Sequence, residues 1–587
     1  MPVLLRRLLL SLCLVVVAPL VMASDAAFNR AFGDDWLAQY WQRNPDYAVS
    51  VGYYQVAGLL PAPTAANRRR YIGWLDVQLR QIAGFDLATL SPAARSDLAV
   101  LKTQLESERW TLTTLKSWQW NPSQYNVAEP IALLLSTGYA SEPQRLRTVQ
   151  RRLQQVPAYY AAAKAAISHP TREHTRLAIE QNTGALEVLG AALETQVAGS
   201  QLTAGERSAF LRSLRLARAA VSDYIDWLKA LDARLGRDGN ARSFRLGEAL
   251  YEQKFAYDIQ SGSTGRQLYE RALAEKERLH ARMSVLADQL WPRYFPGTTP
   301  PADRVQKIAQ LIARLSEQHT TREGFVDEVK RQIPLLEAFV RDHDLLTLDA
   351  SRPLQVRETP AYQRGFSIAS VNAPGPYDPT AKTFYNVSPL DDYTPEQAAS
   401  FLSEYNRWQL QVLNIHEAVP GHYVQLVYAN KSPSRIKTLF GNGAMIEGWA
   451  VYSEKMMLEA GWGGHEAEME FIHSKWLLRV TTNTILDYGI HVLNWGEQQV
   501  LDLIRNDAFQ SETEARGKWR RASLSQVQLT SYFAGYSAIY DYRERLKQQL
   551  GDRFDLKRFH EHFLGYGSAP VAVIESLMKP EDAIRNP

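Results

Sequence analysis

Cysteine is nearly missing: the 587 residues contain one, Cys13, and it falls within the N-terminal apolar segment. A chain trimmed of that segment can form no disulfide, offers no thiol nucleophile and cannot build a thiolate zinc site. Long apolar runs are equally scarce. After residue 22 no stretch approaches the roughly 20 uncharged residues that a spanning helix needs, so no stable membrane insertion is expected once the segment is removed. Neither sign of charge dominates, with 66 Lys+Arg against 63 Asp+Glu. Without a basic surface there is no electrostatic footprint for nucleic acid or anionic lipid, and small or neutral partners are expected. No internal repeat recurs, which disfavours a solenoid, and no low-complexity tract argues for disorder.

At the N-terminus, Arg6 and Arg7 precede an apolar run from Leu8 to Met22, and Val21 and Ala23 supply the small residues of a cleavage site. Residues 1–23 therefore read as an export signal cut after Ala23, and losing the two arginines lowers the formal charge from +3 to +1. Pro19 interrupts the run, which disfavours an uncleaved anchor. Cys13 is a poor lipid-attachment residue, because "LSLC" lacks a small residue before the cysteine and more apolar sequence follows.

From residue 24 to 350 apolar residues return every three or four positions, predicting a helical N-terminal scaffold. "FNRAFGDDWLAQYWQRNPDYAVSVGYY" predicts one helix stopped by Asn44-Pro45 and then a second start. Thr203 with Glu206 forms a capping-box pattern before a long amphipathic run that Gly236 is expected to end. Between Ser351 and Asp392 the composition shifts to proline, glycine, tyrosine and β-branched residues, and two short strands are expected, Phe366 to Val371 and Thr383 to Val387. Helical periodicity resumes at Pro395, broken at "NKSPSR" and "GWGGH". The expected fold is mostly α-helical with a small β-sheet, and residues 351–587 form a second, catalytic region packed with the N-terminal part as one bilobed unit.

"HEAVPGHYVQ" carries His416, Glu417 and His422. In an unbroken helix six residues turn the second histidine about 120° from the first and move it about 9 Å along the axis. Two such rings cannot share a tetrahedral metal at about 2.0–2.1 Å per nitrogen. Pro420 removes the amide that would bond the carbonyl of His416, and Gly421 tolerates unusual backbone geometry, so the helix is expected to be distorted between Glu417 and His422. Glu417 then stands beside a candidate metal, placed to accept a proton from water as it attacks a carbonyl. The best third ligand is Glu447 in "GNGAMIEGWAVYSEKMM"; Glu454, seven residues on and on the same helix face, is suited to orient a ligating histidine. Other clusters carry less. His560 and His562 alternate along a helix and read as packing and surface residues, Asp487 and His491 share a face as a structural or catalytic pair, and "SLSQ" lacks the context of a serine nucleophile.

These residues resemble a known family, the bacterial proteins catalogued as domain of unknown function 885, which look like zincin metallopeptidases. The resemblance rests on His416-Glu417-x-x-Pro420-Gly421-His422 and Glu447-Gly448-Trp449-Ala450-x-Tyr452-x-Glu454, extended by "FYNV", "LDYGIHVLNW", "YFAGYSAIYDYR", "WQWNPSQY" and "SFRLGEALY". It covers nearly the whole trimmed chain. It implies a large helical zincin-like fold with the sheet beside the active-site helix, a zinc held by His416, His422 and Glu447, Glu417 as general base, and a peptide substrate. The N-terminal export signal, separately, leads to the expectation of an exported, periplasmic protein. By analogy with zincins, Thr383 to Val387 is expected to act as an edge strand that holds extended substrate, with Tyr385 and Asn386 as substrate-binding candidates. Many members carry Pro-Gly-Gln followed by a tyrosine, whereas this chain reads Ala534-Gly535-Tyr536 with Tyr540 at the later tyrosine. That departure leaves Tyr536, Tyr540 and His491 as candidates to face the developing oxyanion. The expected activity is zinc-dependent hydrolysis of short peptides; the alternatives are an amidase acting on a non-peptide amide and a non-catalytic peptide-binding or structural protein.

Overall fold

Helices follow one another through short turns from Asp25 to Asp342 and again from Pro395 to Leu577. The structure, a computed structural model, describes residues 24–359, 369–373, 375–377, 382–391 and 393–584. The export signal, its cleavage site and Cys13 lie outside the described residues, as do positions 366–368 of the first expected strand. No described helix is long and apolar enough to cross a membrane.

Local signals set most helix ends. Thr203 closes the expected capping box with Glu206 on the Ala204–Asp238 helix, satisfying backbone amides that the first turn leaves free. That helix passes Gly236 and stops at Gly239, which adopts the left-handed conformation at φ 62°. Gly236 is instead a contact residue, since a Cβ there would lie 2.7 Å from the Arg172 guanidinium. Near the start of the chain the single expected helix is two, Asp25–Ala31 and Asp34–Arg43, before Pro45–Ser50. The break falls at Gly33, where a Cβ would lie 2.4 Å from the Asn29 carbonyl oxygen.

The sheet has three strands in the order β1(Leu354–Glu358), β3(Thr383–Val387), β2(Ala369–Asn372). β1 runs parallel to β3, pairing Val356 with Tyr385, and β2 runs antiparallel to it, pairing Val371 with Tyr385. β1 has no counterpart in the sequence reading. Thr383–Val387 is therefore the central strand and not an edge, so its backbone groups are already engaged on both sides. Both β2 and the β3 residue Tyr385, through Asn414, meet the Gln409–Glu417 helix.

Residue 350 does not divide the hydrophobic core. One cluster runs from Phe28, Trp36 and Trp41 through Tyr251 and Leu286 to Ile415, Trp449 and Phe563, so the first helices and the C-terminal region bury their apolar faces together. A second core, from Val49 to Leu235, belongs to the N-terminal half alone. At the centre of the first, the Gly443–Glu459 and Ser531–Leu550 helices cross at backbone contact. A Cβ on Gly535 would lie 1.7 Å from the Ala444 carbonyl oxygen, and one on Gly448 would lie 2.3 Å from the Gly535 carbonyl carbon. Ala444 and Gly448 are one helical turn apart, so together they form the groove that admits Gly535. His560 is fully buried, with Nδ1 2.8 Å from Leu345 O and Nε2 2.7 Å from the Tyr452 hydroxyl. His562 is exposed.

Gly535→Ala should separate the two helices and cost about 3 kcal/mol or more, the upper range of overpacking; thermal unfolding would show it, and an unchanged Tm would refute the close crossing. Burial pushes the His560 imidazole down to about 4, against about 6.5 when unfolded. The unfolded chain therefore binds the extra proton first, and stability falls as pH drops from 6.5 towards 4. One such histidine contributes a loss of roughly 2 kcal/mol by pH 5, so His560→Gln should flatten the slope of Tm against pH over that window.

Candidate metal centre

The Gln409–Glu417 helix carries His416 and Glu417 in its last turn, and His422 opens the next helix, His422–Ala429. The interruption expected from Pro420 and Gly421 is present. The Val419-Pro420 peptide is cis, the Gly421 amide donates to Ile415 O at 3.0 Å, and Trp449 Nε1 donates to Pro420 O at 2.9 Å. A Cβ at position 421 would lie 1.9 Å from His416 O, so this path of the chain admits glycine alone. The turn brings the two imidazole rings to 4.9 Å between centroids, nearly perpendicular at 86°.

Glu447 meets them from the first turns of the Gly443–Glu459 helix. Its Oε2 lies 3.6 Å from His422 Nε2 and 3.8 Å from His416 Nε2. One donor atom from each residue lies within 4.8 Å of the others, the one such grouping among the described residues. Tetrahedral ligands at about 2.1 Å would stand about 3.4 Å apart, so this spacing suits a small cation. Behind His416, the fully buried Glu454 accepts from Nδ1 at 2.7 Å and from Trp476 Nε1 at 2.9 Å. With Nδ1 donating to a carboxylate, Nε2 keeps its lone pair and points toward Glu447. His473 Nε2 stands 3.3 Å from the other Glu454 oxygen.

Burial, then the neighbouring His422, pulls the His416 imidazole down to about 4. Burial acts on His422 in the same direction, but contact with Glu447 outweighs it and the pKa is raised. For Glu447 burial raises and the His422 contact lowers, and the contact prevails. Burial holds the Glu417 carboxyl above the ordinary carboxylate range against the pull of both histidines. Glu454 rises to about 7, also through burial. A desolvated glutamate beside two imidazoles and a second carboxylate is a group suited to taking up and releasing a proton.

The remaining sequence candidates are placed elsewhere. Tyr385 is fully buried and donates to Asn414 Oδ1 at 2.8 Å, while Asn386, also fully buried, accepts from Arg357 Nε at 2.7 Å. Both tie the central strand into the fold, and Tyr385 also lies close enough to Glu417 for that carboxylate to raise its pKa after burial. Tyr540 donates to Glu459 at 3.1 Å, and Glu459 lies twelve residues beyond Glu447, about 18 Å along one helix. Tyr536 is buried on that same side, where Glu275 and Tyr540 raise its pKa further after burial. His491 is buried against Ala522 O at 2.9 Å and Ser525 O at 3.0 Å. It stands fifteen residues past Trp476, about 22 Å along the Ala467–His491 helix. Asp487 turns to the Tyr251 hydroxyl at 2.7 Å and the Val527 amide at 3.0 Å. None of these groups reaches the donors.

The tyrosine that does is Tyr532, which the sequence reading passed over. Its hydroxyl lies beside Glu447 and helps hold that carboxylate ionised, and the Arg521 guanidinium donates to it at 3.2 Å. It precedes Tyr536 by four residues and Tyr540 by eight, so "SYFAGYSAIY" lines all three along one helix stripe. Only the crossing at Gly448 and Gly535 selects which of them meets Glu447.

Fold and site together define a mostly helical protein with a two-histidine, one-carboxylate centre. The chain belongs to the family described as "Bacterial protein of unknown function (DUF885)", which matches residues 45–578. Among solved structures it is similar to a protein from Shewanella oneidensis described as a "putative lipoprotein of unknown function", at 49% identity and TM-score 0.86, covering 94% of this chain and 99% of that one. A "putative lipoprotein" from Colwellia psychrerythraea shares the fold at TM-score 0.76 and 17% identity, covering 94% of this chain and 97% of that one. No curated protein matches.

Protein refolded or dialysed against zinc should hold one ion per chain by elemental analysis, and His416→Ala, His422→Ala and Glu447→Ala should each abolish it. Glu454→Gln should weaken binding by about 10- to 100-fold in chelator competition, the usual effect of losing the partner behind a ligand. Tyr540→Phe should leave affinity unchanged.

Proposed function

We propose that this protein is a zinc-dependent hydrolase of peptide bonds in short peptides. The observation that carries this reading is the convergence of His416, His422 and Glu447 around one point, with Glu417 next to the first ligand and raised in pKa. The donor set suits zinc: two neutral imidazoles and a carboxylate, with the tautomer of His416 fixed by Glu454. When bound, zinc supplies Lewis acidity that polarises a carbonyl and makes water nucleophilic near neutral pH.

The chain's own groups account for the proton and charge movements. Glu417 takes a proton from the attacking water and delivers it to the departing amine nitrogen, a two-way task that its elevated pKa matches. Tyr532, on the Glu447 side, donates a hydrogen bond to the carbonyl oxygen as negative charge builds there. Glu454 and Trp476 keep the His416 ring from rotating. A cavity of about 330 Å³ opens beside Glu447 and is bounded by helices, which favours short substrates over folded proteins. Export to the periplasm fits the N-terminal segment and the descriptions of both structural relatives.

Glu417→Gln should retain zinc and lose hydrolysis of a mixed peptide library by about 10²- to 10⁴-fold, the usual share of a general base. Mass spectrometry of the digest would read it, and wild-type cleavage by this variant would overturn the mechanism. Tyr532→Phe should lower kcat by about 10²- to 10³-fold with little change in KM, as expected for a donor used only in the transition state.

A further inference from the structure

The cavity beside Glu447 runs away from the histidines towards the Pro92–Trp110 helix and the end of the Glu248–Asp258 helix. Its lining is unusual in charge: among the described residues it holds no lysine, arginine or histidine and two carboxylates, both with partners. Glu447 faces His416 and His422, and Asp258 is paired with Lys254 Nζ at 2.6 Å. The other polar walls are neutral side chains, among them Thr103, Gln104, Ser107, Gln260 and Gln528, with Asn442 engaged to Asp258 O and the Met445 amide and Gln104 Nε2 to Glu108. Val100, Tyr257, Ile259 and Phe440 supply apolar surface between them.

A group carrying charge that enters this space leaves water without meeting an unpaired counter-charge, which is unfavourable. Amide N–H and C=O groups meet matching donors and acceptors instead. From this lining we propose that the substrate segment on the Glu447 side of the cleaved bond is uncharged, held through its amides and neutral side chains, with neither a free terminus nor an ionised residue in the cavity. The inference rests on the hydrolase reading of the metal centre and adds the substrate class for one flank.

The test uses the zinc-loaded full chain and a doubly blocked neutral peptide, N-acetylated and C-amidated, in which each position in turn is changed to Glu or Lys. On one flank of the cleaved bond both charges should lower kcat/KM by about tenfold or more, the scale of one unmatched contact. Ser107→Lys should then recover the Glu peptide at that flank and not the Lys peptide, a change of preference that a merely structural residue would not produce; Thr103→Lys serves where the first variant folds poorly. Equal tolerance of charge on both flanks, or a Glu penalty untouched by both variants, would overturn the proposal. Peptide binding to Glu417→Gln, followed by calorimetry, separates the two layers. Neutral peptide bound with the same charge discrimination but never cleaved by wild type would refute hydrolysis and keep the cavity assignment, while binding blind to charge would refute the cavity assignment.

Discussion

The chain passes so close to the carbonyl of His416 that position 421 has no room for a side chain, and the geometry of the centre follows from that approach. Gly421 bonds back to Ile415 O at 3.0 Å and ends one helix where another begins. His422 is thereby returned to the same side as His416, six residues away, where a continuous helix would carry it about 120° round. Trp449 fixes the turn from outside through Pro420 O, and Trp449 stands two residues beyond Glu447 on the facing helix. The turn and the third donor are thus held by one packed unit, and neither histidine depends on an exposed loop.

A second close approach sets what surrounds the donors. Gly448 and Gly535 let two helices touch backbone to backbone, and the residues flanking each contact, Glu447 on one side and Tyr532 on the other, are brought together as a consequence. Around the donors burial lowers the pKa of His416 and raises those of Glu417 and Glu454, while His422 and Glu447 offset burial in each other. Such a clustering of perturbed groups beside a cavity is characteristic of sites that move protons.

Stability and site share one core. The apolar cluster that includes Trp36 and Trp41 near the start of the chain continues through Trp449 and Phe563, so the N-terminal helices share the core that carries the centre. The helix carrying Thr103, Gln104 and Ser107 lines the cavity beside Glu447 although it lies more than three hundred residues earlier in the sequence. The N-terminal half is therefore a contributor to the cleft as well as a scaffold for it.

What the sequence determined by itself were features with local physical causes. Helix starts at Thr203, the proline-glycine interruption between Glu417 and His422, the histidine-glutamate set and the small sheet all follow from caps, ring closure, spacing and composition over a few residues. The tertiary structure alone decided the rest. Thr383–Val387 is expected at an edge by analogy with zincins, and pairing with Leu354–Glu358 on one side and Ala369–Asn372 on the other places it in the centre. Tyr532, Tyr536 and Tyr540 are equivalent along a helix stripe until Gly448 admits Gly535 and picks the first. His491 has the composition of a catalytic residue, but the length of its helix carries it away from the donors. The cavity beside Glu447 joins segments near residues 104, 260, 442 and 528, and no pattern in the chain records that they meet, because their proximity comes from the folding of one continuous core.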